Sequence, residues 1–208
     1  MGSSTVAADT LLMLSGGIDS VFCLWRRVQA GLPTRTHHVV LRDREGRHRV
    51  EAEAVRDVLG WLRDRGGADL IEHTESRVHF GDVRWIPQNY HLWAYWAGVL
   101  LAAPANRGIT RVVIPRHADA FAGQAPDGPR GQRSDAAYLG HIELIAGRRP
   151  VLEYPIIGMT KADEIAAMPA ELLRLCWWCR RPDPGGRPCR RCYTCRQVDA
   201  ARRPARLR

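Results

Sequence analysis

The sequence predicts an α/β protein: a doubly wound, mostly parallel sheet followed by a small C-terminal region of different composition. Three observations predict it. Apolar runs of strand length alternate with helically spaced segments over roughly the first 165 of 208 residues, the pattern of strands joined by right-handed crossovers. A glycine pair, Gly16-Gly17, sits between the first such strand and the first helix. After Met168 the composition shifts to Cys, Arg, Pro and Gly.

The elements follow in order. Thr10–Leu14 (TLLML) is an apolar run fit for a buried strand. The turn Ser15–Ser20 (SGGIDS) leads into a helix over Val21–Ala30, stopped at Gly31. His37–Leu41 reads as a strand on which His37 and His38 face opposite ways, one into the core and one to solvent. Arg49–Arg65 is an amphipathic helix ending at Gly66-Gly67, and Asp69–Glu72 is a third strand. His73–Trp85 has no clear period. Ile86–Ala103 reads as a long helix with Pro87 in its first turn, where a missing N–H costs nothing. Arg111–Ile114 is a strand, Ala118–Gln132 a Gly/Pro-rich loop, Tyr138–Ala146 a helix and Val151–Tyr154 a last strand. Thr160–Met168 is a helix with Thr160 as N-cap and Asp163 at its third position. The predicted domains are residues 1–168 for the α/β unit, 169–200 for the cysteine-rich region and 201–208 for a basic tail.

Composition excludes several classes. Hydrophobic residues make up 45% and charged residues 25%, a globular balance. A chain this long buries roughly 70% of its unfolded surface and needs no disulfides for a core. Its apolar run Leu92–Ala105 is shorter than the ~20 residues of a membrane span. The first ten residues lack a secretory pattern, so a cytoplasmic protein with reduced cysteines is expected. The formal charge is +9, yet only one cation, Lys161, is a lysine. Because Lys161 follows Thr160 and not a glycine, a Walker A loop is excluded.

Ser15, Gly16, Gly17, Ile18, Asp19 and Ser20 carry the first chemical signal. A glycine pair between strand and helix lets the backbone turn tightly and point its N–H groups into one concavity. The helix adds its positive N-terminal end, and Ser15 and Ser20 add hydroxyls, so the ligand that suits the loop is a pyrophosphate. Asp19 could orient a metal-bound phosphate or hold the loop by local hydrogen bonds. No GxGxxG is present, which argues against a dinucleotide fingerprint. Cys23, one turn into the helix, reads as a small buried hydrophobe.

Cys176, Cys179, Cys189, Cys192 and Cys195 carry the second. Zn²⁺ takes four thiolates in a tetrahedron, and CxxC spacing sets two sulfurs at the required bite. Cys179, Cys189, Cys192 and Cys195 are the expected ligands, with Cys176 the spare beside Trp177 and Trp178. An iron–sulfur cluster also takes four thiolates and stays open on spacing alone. A closed four-thiolate site would be structural. The surrounding arginines would offset its negative charge. Arg202, Arg203, Arg206 and Arg208 lie beyond that role and read as a frayed basic end or a nonspecific nucleic-acid contact.

SGGIDS matches in full the SGGxDS signature of the PP-loop ATP pyrophosphatases, whose members cleave ATP between the α and β phosphates. Together with the late cysteines it resembles the 7-cyano-7-deazaguanine synthase family. Gly46–Ala54 (GRHRVEAEA) is similar to that family's Gln-Arg-His…Glu segment, Ile86–Asn89 to its Pro-x-Arg-Asn segment, Gly158–Ala162 to its lysine-bearing turn, and Cys179–Pro182 to the start of its zinc motif. Gln88 stands where an arginine is usual, Ile114–Asp119 (IPRHAD) differs from the family segment, and the Tyr-Pro-Asp-Cys-Arg substrate segment is not recognisable in Arg130–His141.

The resemblance implies an adenine nucleotide α-hydrolase-like fold and an ATP-dependent C–N ligase. It would convert 7-carboxy-7-deazaguanine with ammonia to 7-cyano-7-deazaguanine, a step towards queuosine and other deazapurines. It implies ATP, Zn²⁺ and Mg²⁺ as cofactors, and a homodimer. By carry-over, Ser15–Ser20 hold the ATP phosphates. Lys161, Arg47 and His48 are candidates for catalysis, and Asn89, His117 and Asp119 are weaker candidates for substrate contacts. Lys161 as a surface cation and His48 as a helix cap are the plainer alternatives. A different acceptor also stays open: tRNA in a thiolation, or a macromolecule to which a base is attached.

Overall fold

A computed structural model of the chain describes residues 8–43, 45–81, 89–121 and 124–202. Five strands, β1 (Thr10–Met13), β2 (Thr34–Arg42), β3 (Ile71–His79), β4 (Arg111–Val113) and β5 (Val151–Glu153), form one sheet in the order β3-β2-β1-β4-β5. Every pairing is parallel, with Leu11 opposite Arg35 on one side and Val112 on the other. The helices are α1 (Ile18–Gln29), α2 (His48–Leu62), α3 (Asn89–Ala102), α4 (Pro129–Ala146), α5 (Lys161–Ala167), α6 (Ala170–Leu175) and α7 (Tyr193–Ala201).

Helices cover both faces, because the central strand is apolar on both. Leu12 and Leu14 pack with Val21 and Phe22 of α1 and Val55 and Val58 of α2. Leu11, on the opposite face, packs with Ala94 and Ala97 of α3 and with Tyr138 and Ile142 of α4. Strands buried on both sides read as continuous apolar runs, which is why β1 and β4 are visible in sequence. Leu172 of α6 and Val198 of α7 join the first of these cores, so the C-terminal segment is packed onto the α/β unit. No helix among the described residues is long and apolar enough to cross a membrane.

Several boundaries differ from the sequence reading. Strand β3 runs to His79 through the stretch that showed no period, and pairs with β2 from Thr34–Ile71 to Arg42–His79. It is an edge strand with exposed Glu72, Glu75 and Arg77, and such charges blunt an edge against self-pairing while erasing the apolar signal. Strand β2 begins at Thr34, not His37, because Thr34 and Thr36 are buried on hydrogen bonds to Arg27 and His73. His37 and His38 are both buried, correcting the expectation that one meets solvent. His37 Nδ1 meets Thr74 Oγ1 at 2.8 Å and its ring stacks on Trp96, while His38 Nδ1 meets the Leu14 carbonyl at 2.8 Å.

Helix α4 starts at Pro129, inside the expected loop, since its first turns face solvent with Gln132 and Arg133 and carry no apolar stripe. Helix α6 leads into Cys176, where Trp177 and Trp178 suggest a packed approach helix, whereas α7 was not expected, being at 9 residues too short to show a period. Residues 86–88 of the expected third helix, and 203–208 of the basic tail, lie outside the described residues.

Candidate functional site

In the strand order, β1 is flanked by β2 and β4, and the chain changes direction across the sheet there. Ligands of open α/β sheets bind in the crevice outside the carboxyl ends of the strands at such a switch point. The loop after β1 is Ser15–Gly17, and the loop after β4 carries His117 and Asp119.

Gly16 takes φ 74°, a left-handed conformation that a side chain resists, and an added Cβ would stand 3.2 Å from the Glu51 carbonyl and Val55 Cγ2. The turn is held by small contacts. Ser15 Oγ accepts from Gly17 N–H at 3.3 Å, the Ser15 and Ser20 hydroxyls lie 3.1 Å apart, and Ser20 donates to the Gly17 carbonyl at 3.1 Å. Gly17 is the N-cap of α1 with no side-chain cap. The first N–H groups of that helix have no intrahelical partner, which suits an anion.

Lys161 reaches this loop from α5. Its Nζ pairs with Asp19 Oδ1 and with Glu164 Oε2, the latter at 3.4 Å. Lys161 is 4% exposed and Glu164 0%, so Lys161 is not the surface cation that its plainer reading allowed. Two backbone links aim it: Lys161 N–H donates to Asp119 Oδ2 at 3.0 Å, and Ala118 N–H to the Met159 carbonyl at 2.8 Å. Thr160 and Asp163 close a reciprocal capping box just ahead, as their spacing predicts. Burial lowers the Lys161 pKa, opposed by the Glu164 charge. Burial raises that of Glu164, opposed by Lys161 and then His117.

Asp19, His117 and Glu164 place ligand atoms within 4.8 Å of one another. Asp19 Oδ1 carries the Lys161 ion pair, while His117 Nδ1 and Glu164 Oε1 are buried without a hydrogen-bond partner. Carboxylate oxygens suit a hard divalent cation, and the unpartnered Glu164 Oε1 beside Asp19 fits one. The structure thus gathers Asp19, His117, Asp119 and Lys161, which the sequence nominated from three separate segments. Glu164 escaped that reading. Its signal was its place three residues after the only lysine, on the same helical face.

Arg47 and His48 lie elsewhere, at the start of α2. Arg47 is buried between Glu45 and Glu51, each at 3.2 Å. His48 opens the helix without capping it by a side-chain hydrogen bond, and burial beside Arg42 and Arg49 lowers its pKa. Both are one turn from the Glu51 carbonyl that packs on Gly16. Asn89 begins α3, and its side chain lies outside the described residues. Cys23 is wholly buried, which pushes its thiol pKa far up and suits an inert hydrophobe.

Cys179, Cys189, Cys192 and Cys195 bring their sulfurs within 4.8 Å of one another. Cys189 N–H points at Cys179 Sγ at 3.2 Å, and Cys192 N–H at Cys189 Sγ at 3.4 Å. Such donors stabilise thiolates around a cation. Arg190, at φ 55°, makes the turn between Cys189 and Cys192. Cys176 is apart, buried against Met168 and the Leu172 carbonyl. This centre touches the loop: Trp177 N–H donates to the Gly16 carbonyl at 2.8 Å, and Arg180 pairs with Glu45 at 3.6 Å.

No protein-family model matches the chain. No curated protein matches it. Among solved structures it is similar to NMN synthetase from Francisella tularensis, at 16% identity and TM-score 0.49, covering 88% of this chain and 71% of that one. It is also similar to the U34-tRNA thiolase NcsA from Methanococcus maripaludis with its 4Fe–4S cluster, at 16% identity and TM-score 0.48, covering 88% of this chain and 62% of the thiolase. The chain thus spans less than two thirds of the thiolase's length, and what it does is carried by its own residues.

Proposed function

We propose that the chain is an ATP-dependent ligase that adenylates a carboxylate, and that its reaction is the conversion of 7-carboxy-7-deazaguanine to the nitrile with ammonia. The observation that carries this is the meeting of Ser15–Ser20 with buried Lys161 at the β1–β4 switch point. A phosphate cradle faces the single lysine of the chain, and no other described group offers that pairing.

A carboxylate is a poor electrophile because its charge repels nucleophiles and its oxygens leave badly. In the proposed reaction a carboxylate oxygen attacks the α-phosphorus of ATP, the α–β bond breaks and pyrophosphate leaves. Ammonia attacks the acyl carbon, AMP departs and an amide remains after loss of one proton. A second ATP adenylates the amide oxygen and releases a second pyrophosphate, and loss of AMP and of both amide protons leaves the nitrile. The loop amides and the start of α1 would bind the phosphates. Lys161 would leave Asp19 for the phosphoryl oxygens, where its charge counts most as the pentavalent state forms. Glu164 would keep it in line, and Arg47 and His48 would order the α2 end of the crevice.

Mg²⁺ would be held by Asp19 and Glu164, with His117 alongside, and would supply charge neutralisation on the phosphates. The four-cysteine centre would hold Zn²⁺. Tetrahedral bonds of ~2.3 Å set sulfurs ~3.8 Å apart, which suits four thiolates all within 4.8 Å better than a larger iron–sulfur cluster between them. Its role is structural, since four thiolates leave no open position.

The test is incubation with ATP, ammonium and 7-carboxy-7-deazaguanine, read by mass spectrometry. Nitrile together with AMP is expected. A second reading, in which the acceptor is tRNA or another macromolecule, is favoured by the exposed arginines Arg181, Arg190, Arg191 and Arg196 on the cysteine-rich surface. AMP formation that requires tRNA or protein would select it.

A further inference from the structure

A cavity of about 420 Å³ opens between the start of α5 and α7. Asp119, Lys161 and Ala162 line one side of it, and Tyr193, Arg196, Gln197, Ala200 and Ala201 line the α7 wall. The α7 contribution falls at positions i, i+3 and i+4 and continues through Ala200 and Ala201 one turn on. These residues form one helical stripe, while Cys195 and Val198 of the same helix turn inward. One face of α7 thus packs and ligates, and another faces the cavity.

The chemistry of that wall is specific. Among the described residues no carboxylate pairs with Arg196, whereas Arg187 is paired with Asp183, Arg180 with Glu45, and Arg202 lies 4.5 Å over Trp178. Arg196 Nη1 donates to the Arg191 carbonyl at 2.8 Å, which fixes its guanidinium without neutralising it. A held guanidinium presents a fork that matches a carboxylate. Tyr193 is 53% exposed and offers a flat ring, and Gln197 offers both a donor and an acceptor. The two short side chains Ala200 and Ala201 leave depth for a planar body.

We propose that this cavity is the acceptor subsite and that Arg196, on α7, clamps the acceptor's carboxylate. The proposal rests on the adenylation reading and names its second substrate as a planar heterocycle bearing a carboxylate. Two anions must meet in that reaction, an acceptor carboxylate and an α-phosphate. Two cations line the one cavity, Arg196 for the first and Lys161 for the second. A carboxylate pinned by a fork also loses the freedom that a bimolecular attack would otherwise have to freeze out. The four cysteines acquire a purpose here, because Cys192 caps α7 and Cys195 lies in it, so the metal centre sets the position of Arg196.

The experiment is isothermal titration of the metal-loaded full chain, first with α,β-methylene-ATP and then, with that analogue present, with 7-carboxy-7-deazaguanine. Arg196→Leu is expected to weaken the carboxylate by roughly 10- to 100-fold, as loss of a charged hydrogen bond does, and to leave the nucleotide within twofold. Arg196→Lys should recover part of the loss. Ala200→Trp, which fills the cavity from an exposed helix position, should block the carboxylate and spare the nucleotide. Carboxylate binding within twofold of wild type in both Arg196→Leu and Ala200→Trp overturns the subsite. Wild-type protein that binds the nucleotide but not the carboxylate overturns it too, and leaves the nucleotide reading standing. If wild type binds neither, the adenylation reading falls and the subsite with it.

Discussion

Lys161 sits between Asp19 and Glu164, and the two carboxylates serve different ends. Asp19 belongs to the loop and is 35% exposed at its side chain, so it can exchange the lysine for a phosphate-bound cation. Glu164 is fully buried and pairs with Lys161 through Oε2. The Glu164 charge raises the lysine's pKa against the burial that lowers it. Removing that charge therefore lowers the pKa further. Glu164→Gln is expected to move the alkaline limb of the kcat/KM profile to lower pH, because Lys161 must be protonated to act on phosphate. A profile that keeps its alkaline limb in Glu164→Gln would remove Glu164 from the machinery. Lys161 was legible in the sequence as the only lysine, but its burial was not. Glu164 stands one turn along the same helix, but no local pattern shows that this helical face is packed against the loop after β1.

At the scale of elements, the β2–β3 pair carries an acid-sensitive seam. Burial, followed by the neighbouring His38, lowers the pKa of His37 to about 4. Burial, followed by His38 and Arg63, lowers that of His73 to about 4. In the unfolded chain each returns to its ordinary value near 6.5, so between pH 6.5 and 4 the unfolded state binds more protons. The stability from keeping these rings neutral is present above pH 6.5 and lost as pH falls towards 4, by up to about 3 kcal/mol for fully buried His37. His73 is partly exposed and contributes less. Thermal melts at pH 7 and pH 5 are expected to show a lower Tm at pH 5, and His37→Asn should narrow that difference. An unchanged difference would place the acid sensitivity elsewhere. The extra length of β2 and β3 escaped sequence reading for a related reason. Their added residues are threonines, histidines and charges satisfied across the strands, which carry no apolar alternation.

A metal held by the four cysteines would anchor α7, as short helices depend on tertiary anchors. Nine residues form a marginal helix alone, and Cys192 and Cys195, at its N-cap and in its first turn, would pin it through the metal. Chelation of the metal, or Cys195→Ser, is expected to lower Tm by several degrees and to weaken acceptor binding before nucleotide binding. One zinc per chain by elemental analysis is the matching stoichiometry. Metal-free protein with unaltered Tm and acceptor affinity would deny the centre that scaffolding role. The four cysteines that the fold gathers are those the sequence set apart from Cys176, and the signal was the pair Trp177-Trp178 beside Cys176, since Cys176 and Cys179 have CxxC spacing too. The packing of α6 and α7 on the α/β core is a nonlocal one, written in single residues such as Leu172 and Val198.

At the scale of the whole molecule, the sheet order places two loops from distant parts of the chain at one crevice. The β1 loop was legible because six contiguous residues encode its turn, its amides and its hydroxyls. The β4 loop was less so: His117 and Asp119 acquire meaning only through the parallel β1–β4 pairing and the link from Asp119 to Lys161. Arg47 and His48, by contrast, were nominated beside each other, and Arg47 is held by Glu45 and Glu51 at the rim of Gly16's packing surface. Adenylation makes a claim about one bond, the α–β bridge of ATP, and oxygen isotopes report on it directly. The decisive measurement uses 7-carboxy-7-deazaguanine labelled with ¹⁸O in its carboxylate, with ATP and ammonium, and locates the label by mass spectrometry. The account predicts pyrophosphate as a product and ¹⁸O in AMP. Label in orthophosphate with ADP as its co-product, or ATP left intact, would contradict it.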